Sequence, residues 1–189
     1  SAPTPYRTDD HRSGWKESDA ANPQSYYSRT KYAADLALDG IDGITILRIR
    51  MPISQIPSPR NIISKLIKYN EVIDEPNSMT FMTDLVRCVD HVICKDLTGI
   101  YHVTSPEPIT ATDIMNQYKV LNPNHQFKTI GLDRLSELTL APRSNCILDS
   151  SKLMETGFQF NGSLKDTVKE FCESEWLNAT SNLLLNKER

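Results

Sequence analysis

The chain has 189 residues and a mass of 21.4 kDa, enough for one domain that buries roughly 70% of the surface its unfolded form exposes. With 39% hydrophobic and 24% charged residues, 7 Gly and 11 Pro, it stands apart from collagen-like, low-complexity and disordered chains. A net charge of −3 supplies no basic field for a nucleic-acid backbone or an anionic membrane, and no apolar stretch approaches the ~20 residues that span a bilayer, so neither is an expected partner.

The first residues are polar and lack the apolar core of a secretory signal. Cys88, Cys94, Cys146 and Cys172 are too scattered for a disulfide-stapled fold, which points to reduced thiols in a cytoplasmic protein. Residues 1–24, with Pro3, Pro5, Gly14 and Pro23 and no sustained apolar period, read as an extended arm or loop. The body spans residues 25–176, and 177–189 form a tail expected to fray. Ser25 to Leu38 is rich in helix formers and ends before Gly40 and Gly43, which predicts a helix. Ile44 to Ile49 is an apolar, β-branched run, as expected of a strand buried on both faces of a parallel sheet.

A proline-rich loop follows, and then Ile62, Ile63, Leu66 and Ile67 recur at helical spacing. Short strands are predicted at Glu71–Ile73 and Ser78–Phe81. They precede a helix over Asp84–Lys95 with Leu85, Val86, Val89, Val92 and Ile93 on one face. Ile100–Thr104 reads as a second buried strand, and Thr110 with Asp113 forms a capping-box start to a helix reaching Val120. A short helix near Ser150–Glu155 and an amphipathic one over Ser163–Trp176 complete an α/β alternation, which favours a parallel sheet with right-handed crossovers.

Tyr27 and Lys31 stand at i and i+4, so on a helix both reach one ligand. An ammonium beside a phenol favours phenolate and can make it an acid/base group. The spacing is weak by itself, since this composition yields about 0.4 such pairs by chance. Cys88, His91 and Cys94 at i, i+3 and i+6 fit helix packing better than a metal site. The sequons at Asn161 and Asn178 are patterns only.

In order, NPQSYYSRTKYAADL, ITILRIR with MPIS, PRNIISKLIKYNEVID, PNSMTFMTDL, GIYHVTSPEPIT and APRSNCILDSSKL resemble the second half of an extended short-chain dehydrogenase/reductase. They are most similar to the dTDP-4-dehydrorhamnose reductase branch, and within it to bifunctional UDP-4-keto-6-deoxyglucose 3,5-epimerase/4-reductases of UDP-rhamnose synthesis. The fold class implied is α/β, Rossmann-like: the C-terminal part with the last parallel strands and a small substrate-binding lobe. The glycines at 14, 40, 43, 99, 131, 157 and 162 compose no G-x-G-x-x-G turn, the part of such a fold that receives a cofactor pyrophosphate. The expected partner is therefore a missing N-terminal half, with the chain inactive alone and a homodimer left open.

The resemblance implies the remaining roles. Tyr27 protonates the sugar C4 oxygen as hydride arrives from NADPH, and Lys31 assists it and holds the nicotinamide ribose. Pro52 and Ile53 match the segment beside the nicotinamide. Lys65 matches the epimerase lysine, and Asn61 and Arg143 match residues that hold the nucleotide-sugar substrate. Each has a plainer alternative: Lys65 as a solvated helix lysine, Asn61 as a helix cap, Arg143 as a loop cation. The rival from another class is a non-catalytic regulatory subunit of the same fold, such as that of methionine adenosyltransferase.

Overall fold

The computed structural model describes residues 14–23, 25–131 and 146–185, with side chains to residue 175. Its elements in chain order are α1 (Tyr26–Leu38), β1 (Thr45–Arg48), β2 (Pro52–Ile53), α2 (Ile62–Leu66), β3 (Glu71–Ile73), β4 (Thr80–Phe81), α3 (Met82–Cys94), β5 (Gly99–His102), α4 (Ala111–Leu121), β6 (Lys128–Ile130), α5 (Ser151–Glu155) and α6 (Leu164–Leu185). All three strand pairs are parallel: β1 with β5, β2 with β4, and β3 with β6.

Local chemistry explains most boundaries. The Ser25 side chain accepts from the Ser28 N–H to start α1, and Gly40 (φ 78°) and Gly43 (φ 74°) take the left-handed turns that follow it. Thr110 and Asp113 cap α4 reciprocally, as the sequence predicts. Helix α6 runs to Leu185, past the expected end at Trp176.

The first two strand pairs are stitched together. The Arg48 carbonyl accepts from Val103 N, and two residues later the Arg50 carbonyl accepts from Thr80 N. The chain thus leaves β5 and joins β4. Thr80 seals the junction, its hydroxyl donating to the Val103 carbonyl at 2.6 Å and accepting from Arg50 N at 3.0 Å.

Two apolar clusters hold the body. The larger gathers Ile53, Ile63, Phe81, Ile114, Met115, Val168 and Phe171 from β2, α2, β4, α4 and α6, with Met79 from the residue before β4. The smaller joins Cys88, Val92, Tyr101, Val103, Leu153 and Phe158 between α3, β5 and α5. Each such side chain, fully buried, contributes about 1.5–3 kcal/mol.

Strand β1 differs from expectation: all four of its residues are half-buried. It pairs only with β5 among the described residues, and α1 buries none of its own residues, so no complete layer covers it on both faces. No helix among the described residues is long and apolar enough to cross a membrane.

Candidate active site

The crossover from β1 to β2 opens one side of a cleft of about 580 Å³, whose other sides are α1 and the segment from Trp15 to Ala21. At the crossover Met51 has φ 41°, an unfavourable conformation for a side-chain-bearing residue and doubly so before Pro52. Strain held at the floor of an open cleft is typical of functional sites.

Tyr27 and Lys31 both line this cleft. The Lys31 ammonium lies 5.7 Å from the Tyr27 ring centroid, within cation–π range. The helix makes this pair by its pitch alone, four residues returning to the same face. Tyr27 is 69% exposed, so the phenol is open to a ligand.

Beneath the pair lies a charged layer. The Arg48 Nε donates to Asp35 Oδ2 at 2.8 Å, binding β1 to α1. The His102 backbone N–H donates to Glu17 Oε1 at 2.8 Å, and the His102 Nδ1 lies 2.9 Å from the Asp149 carbonyl oxygen. That carbonyl can only accept, so Nδ1 carries the proton. Burial pushes the His102 imidazole below its ordinary range; Glu17 and Asp149 act against that shift, and Arg48 adds to it. Further in, Arg50 donates through Nε to Asn77 Oδ1 at 2.9 Å, with burial lowering its pKa.

The other predicted residues fall in different places. Pro52 lines the cleft beside Tyr27 and Lys31, whereas the Ile53 side chain is fully buried in the larger core. Asn61 is 5% exposed and caps α2: its Nδ2 donates to the Ser54 and Ile56 carbonyls, and its Oδ1 accepts from Ile63 N. Lys65 is exposed on α2 and is not among the residues lining the cleft. Arg143 lies outside the described residues. Cys88 is buried and Cys94 exposed, and no group of His, Cys, Asp and Glu among the described residues is placed to hold a metal.

Sequence reasoning passed over Trp15, Lys16 and Asp19, which also line the cleft. The only early signal was three polar or aromatic residues crowded into an apparent arm. Trp15 in fact bridges to Leu148, its N–H donating to the Ile147 carbonyl at 2.8 Å.

No protein-family model matches the chain. It is 36% identical over 161 residues, 84% of its length, to a bifunctional dTDP-4-dehydrorhamnose 3,5-epimerase/dTDP-4-dehydrorhamnose reductase of Arabidopsis thaliana, of which it covers 53%. The crystal structure of a UDP-rhamnose synthase from Acanthamoeba polyphaga mimivirus matches with a TM-score of 0.76 at 24% identity, over 89% of this chain and 61% of that one. A dTDP-4-dehydrorhamnose reductase from Bacillus anthracis, in complex with NADP, matches with a TM-score of 0.67 at 20% identity, over 86% and 60%. The chain thus spans about half the length of the curated relative. The fold is the α/β, Rossmann-like fold of extended short-chain dehydrogenase/reductases, matched over part of its length.

The residues at the cleft suit the reactive end of a nicotinamide cofactor: an exposed phenol, an adjacent ammonium and the rigid Pro52 wall. None of the seven glycines forms a G-x-G-x-x-G turn, so a pyrophosphate cradle of that kind is not among this chain's residues.

Proposed function

We propose that this chain, homologous over 84% of its length to the bifunctional epimerase/reductase, provides the substrate lobe and the Tyr-Lys face of an NADPH-dependent nucleotide-sugar 3,5-epimerase/4-reductase. The reaction is conversion of UDP-4-keto-6-deoxyglucose to UDP-rhamnose, carried out together with a phosphate-cradling half of the fold. The observation that carries the reading is the open Tyr27–Lys31 pair at the mouth of the cleft.

A bound nicotinamide cofactor supplies the hydride for C4. Tyr27 donates its phenolic proton to the C4 oxygen, and the Lys31 ammonium stabilises the phenolate left behind. Pro52 forms the wall on the nicotinamide side, with Ile53 buried behind it in the core. Lys65 hands a proton to the enolate carbon during epimerisation, and Arg143 holds the nucleotide sugar, its guanidinium being shaped for a diphosphate. Asn61, buried with both amide protons donated to backbone carbonyls, serves as the cap of α2 and not as a substrate contact. All four cysteines are free thiols, which fits a reducing cytoplasm. The chain retains both members of the Tyr27–Lys31 pair, and this favours an enzyme over a non-catalytic subunit of the same fold.

The test is incubation with UDP-4-keto-6-deoxyglucose and NADPH, with and without the N-terminal half of the Arabidopsis relative. UDP-rhamnose is expected only in the complemented mixture. Substrate binding with no turnover in either mixture would favour the non-catalytic subunit.

A further inference from the structure

Four titratable or charged side chains beneath Tyr27 and Lys31 have no part in the proposed chemistry. Arg48 and His102 are direct register partners across β1 and β5, and each reaches a different wall of the cleft. Arg48 holds Asp35 of α1 at 2.8 Å, with the two side chains only 16% and 17% exposed. Asp35 stands one turn beyond Lys31 and two beyond Tyr27, on the same helical stripe. His102, through its backbone N–H, holds Glu17 of the opposite wall at 2.8 Å, and its ring Nδ1 lies 3.9 Å from the same carboxylate oxygen.

Both walls need such anchoring. Helix α1 buries none of its residues, so packing contributes little to where it sits. Residues 14–19 form no helix or strand beyond the single Trp15 bridge. In each case a shielded carboxylate makes a charge-assisted hydrogen bond to the β1–β5 pair, the stronger kind of hydrogen bond.

We propose that the Arg48–His102 register pair sets the geometry of the cleft, with Asp35 and Glu17 as positioning residues. Asp35 seats the helix that presents Tyr27 and Lys31, and Glu17 seats the wall that presents Trp15 and Lys16. Its consequence for catalysis rests on the reading of Tyr27 and Lys31 as the reacting pair; its test does not.

The test is amide hydrogen exchange on the full chain with Glu17→Ala and Asp35→Ala. Glu17→Ala is expected to speed exchange of the His102 amide and of residues 15–19 by roughly 10–100-fold, leaving α1 unchanged. Asp35→Ala is expected to speed exchange along α1 by a similar factor and leave residues 15–19 unchanged, with Asp35→Glu restoring part of the protection. Amides of α4 and α6 report whether either variant is loosened globally. A second readout is the NMR titration of the His102 ring, which faces Glu17, Arg48 and Asp149. The isosteric Glu17→Gln removes a charge that favours the imidazolium, so the titration midpoint should fall. Uniform loosening, no change in either wall, or an unmoved His102 midpoint overturns the proposal. If the walls loosen separately as described while Tyr27→Phe leaves turnover intact in the complemented enzyme, the positioning role stands and the Tyr27 reading fails.

Discussion

The Gly162 N–H donates to Asp84 Oδ2 at 2.8 Å, and a Cβ on Gly162 would lie 2.7 Å from that same oxygen and 2.3 Å from the Phe81 ring. Asp84 is 2% exposed, and its other oxygen accepts from Asn161 N at 3.0 Å and Arg87 Nη1 at 2.9 Å. One carboxylate thus fastens the first turn of α3 to the approach to α6. Asp84→Ala strands two backbone donors, while the half-exposed Arg87 keeps water and the Gln159 carbonyl, and should cost about 2–4 kcal/mol in urea denaturation. Gly162→Ala forces the Phe81 ring aside and should cost about 1–3 kcal/mol. A loss below 1 kcal/mol for Asp84→Ala would mean that water takes over its partners.

The cysteines should differ sharply in reactivity. Burial pushes the Cys88 and Cys146 thiols up to about 11 and raises that of Cys172, while Cys94 is exposed. The thiolate is the nucleophile, so an aromatic disulfide reagent at pH 8 should modify Cys94 promptly and the other three only on unfolding. The raised thiols also set a sign for stability. The folded state keeps protons that the unfolded chain releases near 9.0, so the contribution of Cys88 and Cys146 is complete below that pH and is lost as pH rises from there through about 11. Prompt reaction of Cys88 in the native chain would contradict its placement between α3 and β5.

His102 predicts a loss at the acid end. Its folded pKa lies below the ordinary 6.5, so between the two values the unfolded chain binds more protons than the folded one. Stability from this group is complete above 6.5 and is lost as pH falls below it, by at most about 1.4 kcal/mol per pH unit. Urea midpoints between pH 7.5 and 5 should therefore fall more steeply for the native chain than for His102→Gln. Parallel slopes for the two proteins would rule out a neutral buried imidazole.

Legibility in the sequence followed the range of the interactions. Thr110 and Asp113 announce α4 because a capping box is complete within four residues, and Tyr27 with Lys31 announces one face of α1 for the same reason. Strands β2 and β6, of two and three residues, carry almost no local signal: Pro52 sits in what reads as a loop, and only pairing with β4 makes it a strand. The half-buried state of β1 was equally hidden, because an apolar run records what could be covered and not what covers it. Glu17 and His102 are 85 positions apart, and neither has a neighbour in sequence that hints at the other. A pair four residues apart on one helix is thus readable in sequence, while a contact between residues 85 positions apart is not.

The two chemistries should fail separately in a complemented enzyme. Tyr27→Phe removes the proton donor for the C4 oxygen while keeping the ring beside Lys31, and general acid catalysis contributes typically ~10²–10⁴-fold. NADPH oxidation should fall by that factor, with solvent deuterium still entering at C3 and C5 of the ketosugar. Lys65 is the exposed residue of the otherwise largely buried α2 and is not among the residues lining the cleft, so Lys65→Ala should leave the Tyr27 proton transfer untouched. What it removes is the proton delivered to one face of the enolate. Deuterium should therefore still exchange at the carbon where the opposite base acts, while inverted sugar ceases to accumulate and reduction yields a product of unchanged C3 or C5 configuration. Full conversion to UDP-rhamnose by Lys65→Ala would return Lys65 to the role of a solvated helix lysine, because an ammonium that delivers the proton cannot be dispensed with at the step it performs.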